Sequence, residues 1–458
     1  MDNFITREEN DFKRIFNKFR KKNFSGDSGQ AIKNSSYQLA TNIIMKIGSL
    51  IFTIIIARLL MPELFGLYSL ALATILLFSA FSDFGINTAV LTFVSNSLGK
   101  GEPEKAKSYF NILFKWKIYL TVISSLVLLA SSYYIANYYQ KPLFYALLAG
   151  ALYIPAISVI SFMEQLFRTN NNFKIPLIKE VAFQALRLVV LPLGIFVLLK
   201  TSLADKFLAS AIILLLIFCY SVSLLLLLVF AKKKMDFLKS KAADFSASEI
   251  SGIKKFIFPL VATVLSGVFF GYIDTLMLGR FVSEEYIAYY GAALSLVGSG
   301  IAIISFVSTA VFPLFSSLRG KSLQSLFKKS RNIVFLISLA GAVFTYFVAW
   351  WAVKIAYGAE YLQAVPVLRW FSILILILPI MALYSTYLTS QKKTKVLAWI
   401  IVISTVMNIA LNFFGIKFGL NHGFFGPPGM MQAVLGAVFA TIISRFAYLG
   451  GLILFRNK

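Results

Sequence analysis

The sequence is short of the residues that soluble catalytic chemistry draws on. One cysteine, Cys219, and one histidine, His422, stand among 458 residues, which excludes a disulfide framework and a Cys/His metal site. Acidic side chains are scarce as well, 19 against 44 lysines and arginines. No stretch has the Gly-x-x-x-x-Gly-Lys-Ser/Thr pattern that cradles nucleotide phosphates, so direct use of ATP is not expected. Between the apolar runs no loop exceeds roughly two dozen residues, too little for an extramembrane site with catalytic carboxylates and a metal. The expectation is therefore a non-enzyme with no cofactor, which argues against a membrane-embedded glycosyltransferase or polymerase. Met1 to Lys33 is not expected to act as a secretory signal, being polar and basic where a signal carries an apolar core. Phe12, Ile15, Phe16 and Phe19 recur there at helical spacing and could lie on a membrane surface; a solvated tail fits equally well.

What the chain has in abundance is apolar surface. Hydrophobic residues make up 59% of it, aromatics 16% and charged residues 14%, more than one soluble core can hide. A helix crosses a bilayer with about 20 mostly apolar residues. Such runs predict twelve spans, near 35–60, 66–95, 109–136, 142–167, 174–199, 206–231, 253–279, 286–315, 327–352, 361–389, 395–418 and 430–454. The fold class is thus an all-α polytopic membrane protein. Its formal charge of +25 does not point to nucleic acid, because the basic residues lie in loops instead of on one face of a soluble domain. With the amino terminus in the cytoplasm, thirty lysines and arginines fall in inner segments and tails. Only Arg58, Lys141, Lys200, Lys206, Arg280, Lys354 and Lys417 fall in outer loops. Cytoplasmic loops retain positive charge, so both termini are expected inside, in an inner (cytoplasmic) membrane.

The chain also repeats itself. A shift of 222 residues places Ala57-Arg58-Leu59-Leu60 on Gly279-Arg280-Phe281-Val282 and Gly66-Leu67-Tyr68 on Ala288-Tyr289-Tyr290. At a shift of 220, Ser97-Leu98-Gly99-Lys100 meets Ser317-Leu318-Arg319-Gly320, and at 221 the hinge Arg168 to Lys174 meets Thr389 to Lys395. Six spans separate equivalent points, which makes a parallel repeat about an axis along the membrane normal, with two six-helix lobes around a central cavity. The division expected is a basic cytoplasmic tail (1–34), a first lobe (35–231), a linker (232–252) and a second lobe (253–458). The linker lysines favour anionic inner-leaflet lipids. Pro155, Pro192, Pro259, Pro313 and Pro379 fall in or near spans and permit kinks.

Three segments carry a resemblance: Ile56-Ala57-Arg58-Leu59-Leu60-Met61-Pro62-Glu63-Leu64-Phe65-Gly66-Leu67-Tyr68, Ser82-Asp83-Phe84-Gly85-Ile86, and Tyr272-Ile273-Asp274-Thr275-Leu276-Met277-Leu278-Gly279. With the span count and lobe size, they resemble the polysaccharide transporter (oligosaccharide flippase) family of the multidrug/oligosaccharidyl-lipid/polysaccharide exporter superfamily. The resemblance implies a flippase that moves a polyprenyl-linked oligosaccharide from the cytoplasmic to the outer leaflet, with polysaccharide assembly enzymes as partners. The alternative within the superfamily is cation-coupled multidrug efflux, which calls for an acidic, aromatic cavity.

A charge at mid-bilayer costs at least about 2.5 kcal/mol, so those kept within spans usually face a cavity or a partner. Gln38, Asn42, Lys46, Ser49 and Thr53 form one polar stripe; Ser79, Asp83 and Asn87 form another. Further stripes are Glu180, Gln184 and Arg187; Thr263, Ser266 and Asp274; and Thr441, Arg445 and Tyr448. If these converge, Lys46, Arg187 and Arg445 make a cationic interior suited to a lipid diphosphate, with Arg369 at its outer mouth. Structural pairing competes with this, Lys46 with Asp83 and Glu180 with Arg187. Asp83 and Asp274 are candidates for ion coupling or for structural roles, Asp83 by fixing a bend and Asp274 by lying near Arg280 at the outer surface. Lys115, Lys117 and Glu164 read as groups that snorkel to a nearby interface.

Overall fold

The computed structural model describes residues 26–201 and 205–457. Most of the basic tail, including its Phe12 to Phe19 pattern, lies outside the described residues. Within them the chain is overwhelmingly helical, as a backbone in lipid must be when no water is at hand for its amides and carbonyls. Eleven helices are long and apolar enough to cross a membrane. The first of them, α1 (Gly26–Ala80), has 55 residues, about 80 Å at helical rise, more than twice the roughly 30 Å hydrocarbon core. It is kinked at Met61 (φ 58, ψ 170) beside Pro62. Proline lacks an N–H and disfavours helical geometry in the residue before it, so the two arms of α1 make two crossings and the spans number twelve. The loop expected between the first two spans is thus a kink.

The second span departs from expectation again. It ends in a turn over 81–85, with Phe84 and Gly85 at positive φ, and resumes as α2 (Ile86–Ala89), a π-helical turn (Val90–Val94) and α3 (Ser95–Gly99). The first lobe continues with α4 (Pro103–Tyr139), α5 (Phe144–Thr169), α6 (Lys174–Leu199) and α7 (Asp205–Lys234). The second contains α8 (Ala247–Phe281), α9 (Glu284–Ser317), α10 (Gly320–Tyr357), α11 (Ala364–Ser390), α12 (Thr394–Asn421) and α13 (Met430–Asn457). Pro155, Pro192, Pro259 and Pro379 all stand inside helices, and so does the backbone of Pro313.

The ends of the bundle differ in how the lobes meet. At the end away from the linker, called distal here, the second arm of α1 packs on α9 so tightly that a Cβ on Gly66 would lie 1.8 Å from the Glu284 carbonyl oxygen. Gly279 likewise admits Leu70, which a Cβ would meet at 2.5 Å. One apolar core runs through both lobes here, from Ile56 and Leu70 to Tyr290 and Phe371. At the linker end a second cluster, with Val90, Tyr109, Phe162 and Phe167, takes in Met235 and Phe237 of the linker and Ile253 at the base of α8. The linker is therefore docked on the first lobe: Ser108 Oγ donates to the Ala243 carbonyl at 2.7 Å, and Lys105 pairs with Glu249 at 3.1 Å. Ser246 and Glu249 form a capping box that starts α8.

Phe258, Tyr134, Phe347 and Trp399 project fully from the bundle, a surface that only lipid accommodates. Within the second lobe α12 and α13 touch backbone to backbone. A Cβ on Gly436 would sit 2.1 Å from the Gly415 oxygen, and one on Gly419 would sit 2.2 Å from the Gln432 oxygen, the small-residue packing that holds helices together in lipid. Gly436→Val should cost about 1–3 kcal/mol or more through overpacking, read as a lower thermal unfolding midpoint in detergent. Gly450→Val, where a Cβ meets nothing within 4 Å, should leave that midpoint unchanged.

Candidate functional site

Each lobe holds its own set of buried polar groups. In the first, one face of α1 meets α6. Gly48 has no side chain to obstruct Gln184, whose Oε1 would lie 2.4 Å from a Cβ there. That oxygen accepts from Arg187 Nη2 at 2.6 Å. The same nitrogen lies 3.4 Å from Ser49 Oγ, and the guanidinium covers the rings of Phe52 and Phe183 at 4.2 and 5.2 Å. Arg187 Nε has no partner. Gln184 Nε2 in turn donates to Glu180 Oε1 at 2.6 Å, while Glu180 Oε2 takes Lys179 Nζ at 2.9 Å. Lys179 also meets Glu164 at 2.5 Å, and Glu164 lies 3.7 Å from Arg168.

This chain overturns two expectations. Glu180 and Arg187 do not pair, because seven residues along a helix separate them by about 10 Å; Gln184 bridges the gap, and Glu180 is neutralised by its neighbour Lys179. Glu164 does not snorkel but is an internal partner of Lys179. Lys46 is exposed on α1, one turn from Ser49, and forms no ion pair among the described residues. Gln38 Nε2 donates to Asn42 Oδ1 at 3.2 Å on the same stripe.

Nor do Lys46 and Asp83 pair. Asp83 Oδ1 accepts Lys117 Nζ at 3.0 Å and the Asn87 amide at 3.2 Å, and Oδ2 accepts the Gly85 amide at 3.4 Å. The carboxylate thereby spans the bend at Phe84-Gly85 and accepts from the first turn of the helix beyond. Lys117 is 1% exposed, which corrects the snorkelling expectation. Two residues along a helix nearly reverse direction, so Lys117 turns inward while Lys115 lies exposed beside Tyr119, 5.8 Å from the ring centre.

In the second lobe Asp274 is buried and surrounded by neutral donors. Oδ2 accepts Tyr290 Oη at 2.7 Å and Thr441 Oγ1 at 2.6 Å, and Oδ1 accepts Asn412 Nδ2 at 2.5 Å. Asn408 Nδ2 reaches Ser444 Oγ at 3.1 Å, leaving the Oδ1 atoms of Asn408 and Asn412 buried without a partner. Asp274 is thus not a surface partner of Arg280, which lies over Tyr138 at 5.5 Å. Sequence reading missed Tyr290, Asn408 and Asn412; two asparagines four apart in an apolar run were the available signal. Arg445 Nη2 donates to the Phe270 carbonyl at 2.6 Å, its guanidinium lies 3.2 Å from the Phe270 ring centre and its Nε is unpartnered. Asp274 acts on it through space. No contact joins Arg445 to Lys46 or Arg187 among the described residues. Arg369 is exposed beside Tyr346, 5.7 Å from its ring, apart from these groups. A groove of about 320 Å³ between α12 and α13, lined by Phe414, Phe418, Phe424 and Phe439, carries no charge and lies outside this polar set.

Twelve spans in two lobes with buried polar cores make up the scaffold, and comparison places it. The family described as "Polysaccharide biosynthesis protein" matches residues 31–319, more than half of the chain.

The chain belongs to the polysaccharide biosynthesis protein family.

A second description, MatE, matches residues 259–414 of this family member. No curated protein matches the sequence. Among solved structures it is similar to the lipid II flippase MurJ in an inward closed conformation, at 17% identity and TM-score 0.66, covering 92% of this chain and 87% of that one. It is also similar to an inward-facing multidrug resistance MATE family transporter of the MOP superfamily, at 15% identity and TM-score 0.61, covering 93% and 95%. The eukaryotic MATE transporter AtDTX14 follows at 14% identity and TM-score 0.63, again covering 93% and 95%. These likenesses, all below 25% identity, establish the fold of this polysaccharide biosynthesis family member as that of a multi-pass helical membrane protein.

The Asp83–Lys117 pair generates a test. Asp83→Ala strands a buried ammonium and should destabilise by about 3 kcal/mol, the low end for such pairs because Asp83 keeps some exposure. Adding Lys117→Met should recover most of the loss, giving a strongly non-additive double-mutant cycle in thermal unfolding.

Proposed function

We propose that the protein flips a polyprenyl-linked oligosaccharide from the cytoplasmic to the outer leaflet of the inner membrane, by alternating access between its lobes. The observation that supports this most directly is the charge balance inside the spans. Asp83, Glu164 and Glu180 each have a cationic partner, whereas Lys46, Arg187 and Arg445 form no ion pair with a carboxylate among the described residues. Arg187 and Arg445 rest on an amide oxygen, a hydroxyl, a backbone carbonyl and aromatic faces. Each has a buried Nε donor without a partner, which a diphosphate would meet through a planar fork once the lobes part. Family membership and the likeness to a lipid II flippase support the same reading. Efflux of organic cations would want the opposite balance.

In this reading Gln184 positions Arg187, Asn42 extends the polar stripe beside Lys46, and Asp83 is structural. Asp274 is the coupling carboxylate, since its hydrogen-bond donors Tyr290, Asn412 and Thr441 carry no charge. The lobes are 35–231 and 253–458, the linker 232–252 and the tail 1–34, with linker and termini in the cytoplasm. Arg369 anchors at the outer interface. Assembly enzymes on the outer face would consume the product.

Depletion should accumulate lipid-linked glycan in the cytoplasmic leaflet; an unchanged distribution of every such glycan sinks the proposal. In proteoliposomes Arg187→Ala or Arg445→Ala should slow flipping roughly 10- to 100-fold, the scale of one charge-assisted contact. Asp274→Asn should abolish any response of the flipping rate to an imposed ion gradient, and a mutant that still responds would remove Asp274 from the coupling role.

A further inference from the structure

The repeat noticed in the sequence has a counterpart at the distal end that the charge argument leaves unused. Arg58 closes the first arm of α1, and Arg280, its equivalent at a shift of 222, closes α8. Each arginine crosses to the other lobe and reaches the end of that lobe's third span. Arg58 Nε donates to the Ala356 carbonyl at 2.7 Å and Nη2 to the Ile355 carbonyl, in the last turn of α10. Arg280 lies over Tyr138 at the end of α4. In return Tyr361, just beyond α10, donates its hydroxyl at 2.9 Å to the Ala57 carbonyl, in the last turn before the α1 kink. Lys141, just beyond α4, pairs with Glu284 at the start of α9 at 3.3 Å.

The final carbonyls of a helix have no intrahelical donor and carry the negative end of its dipole. Gly358, at φ 102, ends α10 and satisfies only the Lys354 carbonyl at 3.1 Å; Ile355 and Ala356 are left to Arg58. We infer that Arg58 and Tyr361, with Arg280 as pseudo-symmetric counterpart, form a reciprocal helix-end latch that holds the distal mouth between the lobes closed. This rests on the alternating-access reading above, in which the distal end is the outer face. Such a latch suits a reversible seal. Arg58 and Arg280 are exposed at the rim, so when the lobes part water replaces their partners and no buried charge is stranded, unlike a buried ion pair.

The test needs no transport assay. Cys219→Ala removes the sole cysteine, and Ser69→Cys places a reporter between the lobes beside Gly291. Labelling by a membrane-impermeant maleimide from the outside is timed in intact cells. Arg58→Gln should raise the labelling rate about tenfold, the weight of a bond from a charged donor, and Tyr361→Phe, which keeps the ring packing, about threefold for a neutral one. Arg280→Gln should act in the same direction, and Lys200→Gln, away from the lobe interface, should not. Labelling at the background rate in both Arg58→Gln and Tyr361→Phe, with normal expression and unfolding midpoints, overturns the latch. A labelling response without glycan flipping would keep the latch and discard the flippase; flipping without a labelling response would do the reverse.

Discussion

A charge in hydrocarbon is tolerable only when something answers it, and the interior of this protein is organised by what answers each one. Lys117 meets Asp83, and Lys179 stands between Glu164 and Glu180. These pairs knit helices of the first lobe together and engage Asp83, Glu164 and Glu180. Arg187 and Arg445 are hydrogen-bonded to neutral oxygens and lie against aromatic faces, which stabilise a guanidinium without an ion pair, although the Asp274 carboxylate also acts on Arg445 through space. The distinction matters more than the number of charges, because only an uncancelled cation offers net attraction to a phosphate.

The same requirement shapes the backbone. Pro62 removes a donor where α1 must break, and Met61 takes a left-handed φ at the kink. In the second span the amides of 81–84 and Ile86 find backbone carbonyls, and Asp83 supplies acceptors to those of Gly85 and Asn87, so the donors that the turn leaves over are met by one side chain. A single carboxylate therefore serves as helix cap and as counter-ion to Lys117. Asp274 plays neither part: three neutral donors converge on it from three different helices, a binding geometry in place of a cap.

The two lobes share one apolar core at the distal end and keep a separate cluster at the linker end. Glycine makes the shared region possible, since Gly66 and Gly279 are points where any side chain would collide with the opposite lobe. The linker, docked on the first lobe through Phe237 and Ala243, leaves α8 as the element that begins on one lobe's cluster and ends in the other's core.

Hydropathy sufficed for the spans and for the charged residues within the membrane, and the recurrence of loop motifs for the two-lobe repeat, because length, polarity and motif of a segment are properties of the segment alone. Partner identity is not. Helical spacing told that Glu180, Gln184 and Arg187 share a face, yet only the packing of α5 against α6 gave Lys179 to both glutamates and left Arg187 with an amide. Periodicity placed Asp83 and Lys46 on polar stripes, but the fold turned Lys117 inward to claim the aspartate. Asp274 was visible in the sequence; Tyr290, Asn412 and Thr441 around it come from 16 to 167 residues away. What the sequence determined by itself is which segments enter the lipid and which charges they carry with them. What the tertiary structure decided is which of those charges remain uncancelled, since neutralisation depends on distances between helices that no local pattern encodes.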